Sequence, residues 1–302
     1  MTVPEENRQS NVAAIATALL VTFLWSTSWV LIRWGLDSES LEPLTFAAIR
    51  YGLAAAVLAG WVLSRRALRQ SVRRIDRRMM MNLIALGVVF YAVTQGAQFV
   101  AIDNQPAATT SLLLSLTPLM VAVFGAATLG ERTSSRQWIG TTLVVLGAWA
   151  YFTGDLGATR VGMAAALVAV SANVASALLG RQVNRSHAVP PVVVTAISMG
   201  VGAIVLIGVG AVAEGMPSVS ARAWAIIAWL AVVNTALAFS LWNLSLRRLT
   251  AVQSAGINNT MLIQIAILAW IYLSEPPGAA GLAGILLVSI GVSLTQVVRS
   301  RR

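Results

Sequence analysis

Few residues of this chain have the means to do chemistry, and most of those carry no charge. One histidine, no cysteine and 11 Asp and Glu stand among 302 residues. Inside long apolar runs, however, polar side chains recur at helical spacing. Thr22, Ser26, Trp29 and Arg33 follow at i, i+4, i+7 and i+11, and Tyr91, Gln95 and Gln98 at i, i+4 and i+7, so each set shares one helix face. Ser115 and Thr117 stand beside Pro118, whose missing N–H frees a backbone carbonyl. Asn173, Ser176 and Gly180 form another stripe, Asn234, Trp242 and Asn243 a further group, and Asn258 and Asn259 another, with Gln253, Thr260 and Gln264 on a second face of the same run. Such groups donate and accept hydrogen bonds without titrating. They suit a small zwitterion, and Trp25, Trp29 and Trp242 offer surfaces on which an apolar or aromatic side chain can stack. The same side chains also bridge packed helices, each worth about 0.6 kcal/mol, and tryptophans also mark membrane interfaces.

Cysteine is absent, which excludes disulfides, thiol catalysis and thiolate metal sites. The apolar runs hold no His and no paired Asp or Glu, so neither a catalytic set nor a metal site is expected, and no cofactor is implied. Two carboxylates close apolar runs: "ATLGE" (127–131) ends on Glu131 and "IYLSE" (271–275) on Glu275. A carboxylate is costly in mid-membrane but reaches water or a backbone donor at the boundary. The structural reading has each glutamate fix the turn into the next helix, and the alternative reading couples it to protons. Arg50 lies seven residues past Pro43, about 10 Å along a helix. It either snorkels to the headgroups or pairs with a loop carboxylate such as Asp103, or it is a carboxylate-binding cation inside the protein. His187 receives no role.

The elements that must position these residues follow from composition. The chain is 57% hydrophobic and 11% charged, against roughly 25% charged in soluble domains. Apolar runs of about 20 residues cross a hydrocarbon core about 30 Å thick. They fall near 11–33, 43–63, 79–101, 107–130, 136–153, 161–180, 190–213, 222–246, 251–273 and 279–298. The expected fold is therefore an all-α, polytopic, ten-span membrane protein. The first run exceeds a signal-peptide core and reads as a span. All 21 basic residues are arginine, and "SRRALRQSVRRIDRR" (64–78) holds a dense cluster of them. Numbering the loops with the N-terminus inside leaves only Arg33, Arg160 and Arg222 outside, so both termini are expected in the cytoplasm. The positive charge then belongs to the membrane surface, and nucleic acid is not expected as a partner. The bacterial inner membrane is the expected location.

A shift of 144 carries Ala107 onto Ala251, Leu129 onto Leu273, Glu131 onto Glu275, Gly140 onto Gly284 and Gly147 onto Gly291. That register predicts two five-span repeats, residues 1–156 and 157–302. Five is odd, so the second repeat enters the membrane in the opposite sense, an architecture used by transporters with a substrate site near the midplane. The glycine pairs of the fifth and tenth spans either pack within one chain or form a homodimer contact.

The stretches "LWSTSW" (24–29), "PLTFAAIRYGLAAAVLAG" (43–60), "SLTPLMVAVFGAATLGERTSSRQWIGTTLVVLGAW" (115–149), "AFSLWNLSLRRLTAVQSA" (238–255) and "ILAWIYLSE" (267–275) resemble the drug/metabolite transporter superfamily, its ten-helix amino-acid and metabolite exporters. The resemblance places Arg50 in the family's ordinary second-helix pattern. One departure is that the position matching Pro118 in the ninth span is Leu262, which makes a symmetric helix break there unexpected. The resemblance implies export of amino acids, including aromatic ones, and related metabolites. Alternating access is the expected mechanism, with the substrate's own gradient as the driving force. Multidrug or metabolite efflux by proton antiport is the alternative, and a membrane receptor or scaffold the alternative of a different class.

Overall fold

The structure, a computed structural model, describes residues 5–39, 41–105, 110, 113–130, 133–151, 158–215, 219–261, 263–264, 267–268 and 279–296. Among them the regular elements are all helical: α1 (Glu5–Glu39), α2 (Pro43–Ser64), α3 (Arg66–Arg73), α4 (Arg77–Asn104), α5 (Thr117–Leu129), α6 (Ser135–Tyr151), α7 (Arg160–Arg185), α8 (Pro191–Ala213), α9 (Ala221–Ser245), α10 (Ala251–Asn258) and α11 (Ala279–Gln296). Six are long and apolar enough to cross a membrane: α1 through Asn11–Ser28, α2, α4, α7, α8 and α9. Thr117–Leu129 and Ala279–Thr295 are shorter apolar helices.

Helix starts are set by local chemistry. Asp76 accepts from Met79 N, Thr159 from Gly162 N and Ser220 from Ala223 N, which caps α4, α7 and α9. Thr250 and Gln253 form a reciprocal capping box at α10, so Gln253 serves the helix start rather than an interior face. Pro43 and Pro191 stand in the first turns of α2 and α8, where their missing N–H costs nothing. α2 is capped from a distance. The Glu214 carboxylate, just past α8, accepts from Leu44 N (3.0 Å), Thr45 N (2.7 Å) and the Thr45 hydroxyl (2.9 Å). The arginine-rich connection also folds into a helix of its own, α3. Its arginines are exposed while Leu68, Val72 and Ile75 pack on a cluster that includes Val62, Leu83 and Val189.

The bundle is apolar outside, and its largely apolar core also encloses polar side chains. Val212 and Ile204 are 91% and 72% exposed, whereas Thr22, Thr94, Thr195, Ser198, Asn234 and Thr235 are wholly buried. Lipid, not water, accounts for that distribution. Both α4 and α9 contain π-helical turns, at Gly87–Thr94 and Val232–Leu237. A shift of 144 carries one onto the other, and likewise Arg77 onto Ala221 and Ser135 onto Ala279, the first residues of α4, α9, α6 and α11.

The glycine pairs of α6 and α11 pack on each other within the chain. A Cβ on Gly140 would lie 2.6 Å from the Gly291 carbonyl, and one on Gly147 2.7 Å from the Gly284 carbonyl. Contact moves down α11 as it moves up α6, so the two helices run antiparallel. The contacts are also reciprocal, each glycine touching the counterpart of the other. These faces are therefore occupied, which leaves only the outward faces of α6 and α11 for a homodimer. α2 and α8 also run antiparallel, with Gly52 against Ile207 and Gly210 against Leu44.

One expectation from sequence is corrected. α10 ends at Asn258 with a turn at Asn259, although no proline stands nearby. The turn at Ser115 and Leu116 before Pro118 lies at the matching place, 144 residues earlier. In α10 and just beyond it, Ser254 and Thr260 hydroxyls bond back to Ala251 O and Ile257 O, a pattern that bends helices without proline. Leu262, Glu131 and Glu275 lie outside the described residues, so their expected roles stay as read from sequence. Gly130 ends α5 in the left-handed conformation (φ 65°), a common helix stop.

Replacing Gly147 with leucine is expected to cost about 1–3 kcal/mol of stability through overpacking, whereas Gly208→Ala, with nothing within 4 Å of its Cβ, is expected to be silent. Thermal unfolding of the detergent-purified protein checks both.

Candidate functional site

Aromatic rings from four helices meet around Phe239 of α9. Its centroid lies 4.8 Å from Trp25 of α1, 6.2 Å from Tyr51 of α2, and 5.4 Å and 5.0 Å from Phe90 and Tyr91 of α4. Trp242, one turn beyond Phe239, lies 5.2 Å from Trp25. The π-helical turn of α4 carries both Phe90 and Tyr91, and that of α9 ends two residues before Phe239. Wide turns of this kind recur at functional sites. The Tyr51 hydroxyl donates to Gln95 Oε1 (2.8 Å), which gives the cluster a polar edge.

Several polar atoms here stay unpaired. Trp25 Nε1 and Asn234 Oδ1 are buried without a hydrogen-bond partner among the described residues, and the Tyr91 hydroxyl faces Ser198 and Asn243 without a well-formed hydrogen bond. Asn234 spends its Nδ2 on α1, donating to the Leu24 carbonyl and to Thr27 Oγ1 (3.1 Å). Buried polar groups are normally satisfied, so these atoms nominate the aromatic hub as a candidate site; Gln105 Oε1, Asn184 Oδ1 and Arg247 Nε are likewise unpaired elsewhere among the described residues. The neighbouring Asn243 is, by contrast, saturated. It accepts from Asn184 Nδ2 (2.6 Å) and donates to Thr195 Oγ1 (3.1 Å) and Phe239 O (3.0 Å).

The other residues singled out from sequence fall into separate groups. Ser115, Thr117 and Asn173 join α5, α7 and the α10 region. Asn259 Nδ2 donates to the Ser115 carbonyl (3.1 Å), and Asn173 Nδ2 to Thr117 Oγ1 (3.3 Å). Ser176 bonds back to Asn173 O on its own helix. Gln98 and Asn258 are half-buried and carry no hydrogen bond among the described residues. Ser26 is a fastener instead. It donates to Gln264 Oε1 (2.9 Å), Gln264 Nε2 donates to Thr22 Oγ1 (3.1 Å), and Thr22 and Thr260 hydroxyls meet at 3.2 Å. This clasp ties α1 to the segment after α10. The side chain of Trp29 lies outside the described residues.

Arg50 departs from its simpler expectation. It is 3% exposed, which rules out snorkelling, and Asp103 is exposed and bonded to Asn104. Arg50 Nε donates to Thr235 Oγ1 (2.8 Å) in the π-helical turn of α9, and its Cζ stands 5.4 Å from the centroid of the Tyr51 ring. Among the described residues no three His, Cys, Asp or Glu come together to hold a metal. Phe239, Thr235 and Glu214 escaped the sequence reading. Phe239 looks like any lipid-facing residue of an apolar run, and Glu214 acts on residues about 170 positions away.

Apolar-faced helices around a polar and aromatic interior define a multi-pass membrane protein. The sequence pattern of the EamA-like transporter family matches twice, over residues 12–153 and 160–297. The chain belongs to the EamA-like transporter family. It is 25% identical over 296 residues to a probable terminal-alkyne amino-acid exporter of Streptantibioticus cattleyicolor, covering 91% of this chain and 93% of that one. It is 24% identical over 245 residues to a probable amino-acid metabolite efflux pump of Escherichia coli (strain K12), covering 76% and 77%. A solved crystal structure, 20% identical, shares the fold with a TM-score of 0.77 over 94% of this chain and 97% of that one. The protein is thus a transporter of the drug/metabolite superfamily, not an enzyme.

The two kinds of buried polar group predict unequal losses. Asn243→Leu strips partners from Asn184 and Thr195 and is expected to cost about 1–3 kcal/mol, while Tyr91→Phe removes a hydroxyl that only faces Ser198 and Asn243 and is expected to cost clearly less. Thermal unfolding of both variants is the check.

Proposed function

We infer that this protein exports amino acids, aromatic ones included, across the bacterial cytoplasmic membrane by alternating access. In this reading ten spans form two inverted repeats, 1–156 and 157–302, with both termini in the cytoplasm. The observation that carries it is the antiparallel, reciprocal contact of the repeat counterparts α6 and α11. A pseudo-two-fold axis in the membrane plane produces that contact, and rocking of one repeat against the other exposes a midplane site to each side in turn. The ring cluster of Trp25, Tyr91, Phe239 and Trp242 supplies a stacking surface, and Gln95, Gln98, Ser115, Thr117, Asn173, Ser176, Asn234 and Asn258 are the hydrogen-bonding residues along the path. The amino-acid cargo in the names of two relatives points the same way.

The driving force is the substrate's own gradient. Among the described residues Asp76, Asp103, His187 and Glu214 all stand at helix ends or connections, away from the span interiors where a coupling proton is usually held.

Counterflow of radiolabelled phenylalanine and tryptophan into liposomes holding the purified protein tests the reading. Wild-type protein is expected to exchange both, and Trp25→Ala to slow them about two- to tenfold, the worth of a ring contact of roughly 0.5–1.5 kcal/mol. Absence of counterflow for any amino acid sinks the reading. An imposed pH gradient is expected to drive no uphill accumulation, and accumulation would replace facilitated export with proton antiport.

A further inference from the structure

We propose that Arg50 binds the carboxylate of the transported substrate. The inference rests on the export reading above and adds to it a chemical requirement on the cargo and the residue that imposes it.

A guanidinium in the interior of a membrane bundle needs an anion. Arg50 is buried from both lipid and water, and among the described residues no carboxylate pairs with it. The acids whose side chains are described are exposed or committed elsewhere, Glu42 among the exposed ones. Asp103 is exposed beside Asn104, and Glu214 is held by three donors at the start of α2. Asp76 caps α4. A cation left alone in such a setting is costly, and intramembrane arginines that persist usually serve a ligand or an ion path.

The hydrogen bonding leaves one edge of the head group unpaired among the described residues. Nε is fixed on Thr235 Oγ1, which sets the plane of the guanidinium, and the two Nη nitrogens carry no hydrogen bond among the described residues. That paired edge is the one that takes a carboxylate through two parallel bonds, which an ammonium group cannot reproduce. Beside it begins the ring cluster: Arg50 lies over Tyr51, Tyr51 touches Phe239, and Phe239 touches Trp25. An amino acid with its carboxylate on Arg50 can therefore lay an aromatic side chain against Phe239 and Trp25. Thr235 belongs to the π-helical turn of α9, so the anchor joins α2 of the first half to α9 of the second. A bound carboxylate is then held at the seam between the halves.

The test compares phenylalanine with its decarboxylated amine, phenethylamine, and with phenylalaninamide. Counterflow in liposomes and ligand-induced thermal stabilisation in detergent are both read, on wild type, Arg50→Gln and Arg50→Lys. Wild type is expected to carry and be stabilised by phenylalanine, but by neither of the other two compounds. Arg50→Gln is expected to lower phenylalanine flux about thirtyfold or more, to abolish the stabilisation, and to leave the unliganded protein at least as heat-stable as wild type. Arg50→Lys keeps the charge without the planar edge and is expected to recover part of the flux. Equal handling of phenylalanine and phenethylamine by wild type overturns the proposal. So does wild-type flux or stabilisation in Arg50→Gln, or a marked loss of unliganded stability in that variant, which would assign Arg50 to the framework. Phenylalanine stabilisation that needs Arg50 but comes without counterflow removes export and leaves the carboxylate site standing. No stabilisation of wild type by phenylalanine, with no counterflow, removes both.

Discussion

Lipid offers no hydrogen bond to a polar atom that faces it, and much of this structure answers to that constraint. Polar side chains turn inward, and large apolar ones such as Ile204 and Val212 turn outward. Where helices end or break, side chains from elsewhere receive the stranded carbonyls. Asn259 takes the carbonyl of Ser115, in the turn before α5. Arginines do the same at helix ends: Arg185 donates to Leu129 O (2.9 Å), Arg181 to Leu246 O (2.8 Å) and Arg247 to Val189 O (2.5 Å). The part of the arginine excess that sits between spans thus ties helix ends together besides meeting the membrane surface.

Against that background the unsatisfied groups carry meaning. Trp25 Nε1, the Tyr91 hydroxyl and Asn234 Oδ1 stand on α1, α4 and α9, and Arg50 of α2 reaches Thr235 of α9 through Nε. Asn243, a few residues along the same helix, uses both its amide nitrogen and its oxygen. Packing alone would be served as well by phenylalanine at position 91 and by leucine at position 50. The rings that surround these atoms limit access of water, and in the proposed reading they give an apolar cargo a surface to lie on.

Much of this was legible in the sequence, because lipid leaves few options. Runs of apolar residues marked the helices, while the caps at Asp76, Thr159, Ser220 and Thr250 emerged only with the structure. The shift of 144 that aligned Gly140 with Gly284 also aligns the first residues of α4 and α9 and their π-helical turns. What escaped depends on contacts across the bundle. Arg50 stayed open between snorkelling, pairing with a loop carboxylate and an interior cation, because its position along α2 says nothing of what surrounds α2. Phe239 has no signature apart from its four ring neighbours. Ser26 shares its helix face with Trp29 but is spent on Gln264. The turn at Asn259 formed without proline because hydroxyl back-bonds from Ser254 and Thr260 do similar work.

The proposed opposition of the two repeats is the claim on which alternating access stands, and one labelling experiment reaches it directly. The chain has no cysteine of its own. Arg78 and Arg222 are exposed, 144 residues apart, at the starts of α4 and α9. Cysteine placed singly at each, probed with a membrane-impermeant maleimide on intact spheroplasts and on inside-out vesicles, reports which side each occupies. The account predicts labelling of R222C from outside and of R78C from inside. Labelling of both from the same side would contradict it.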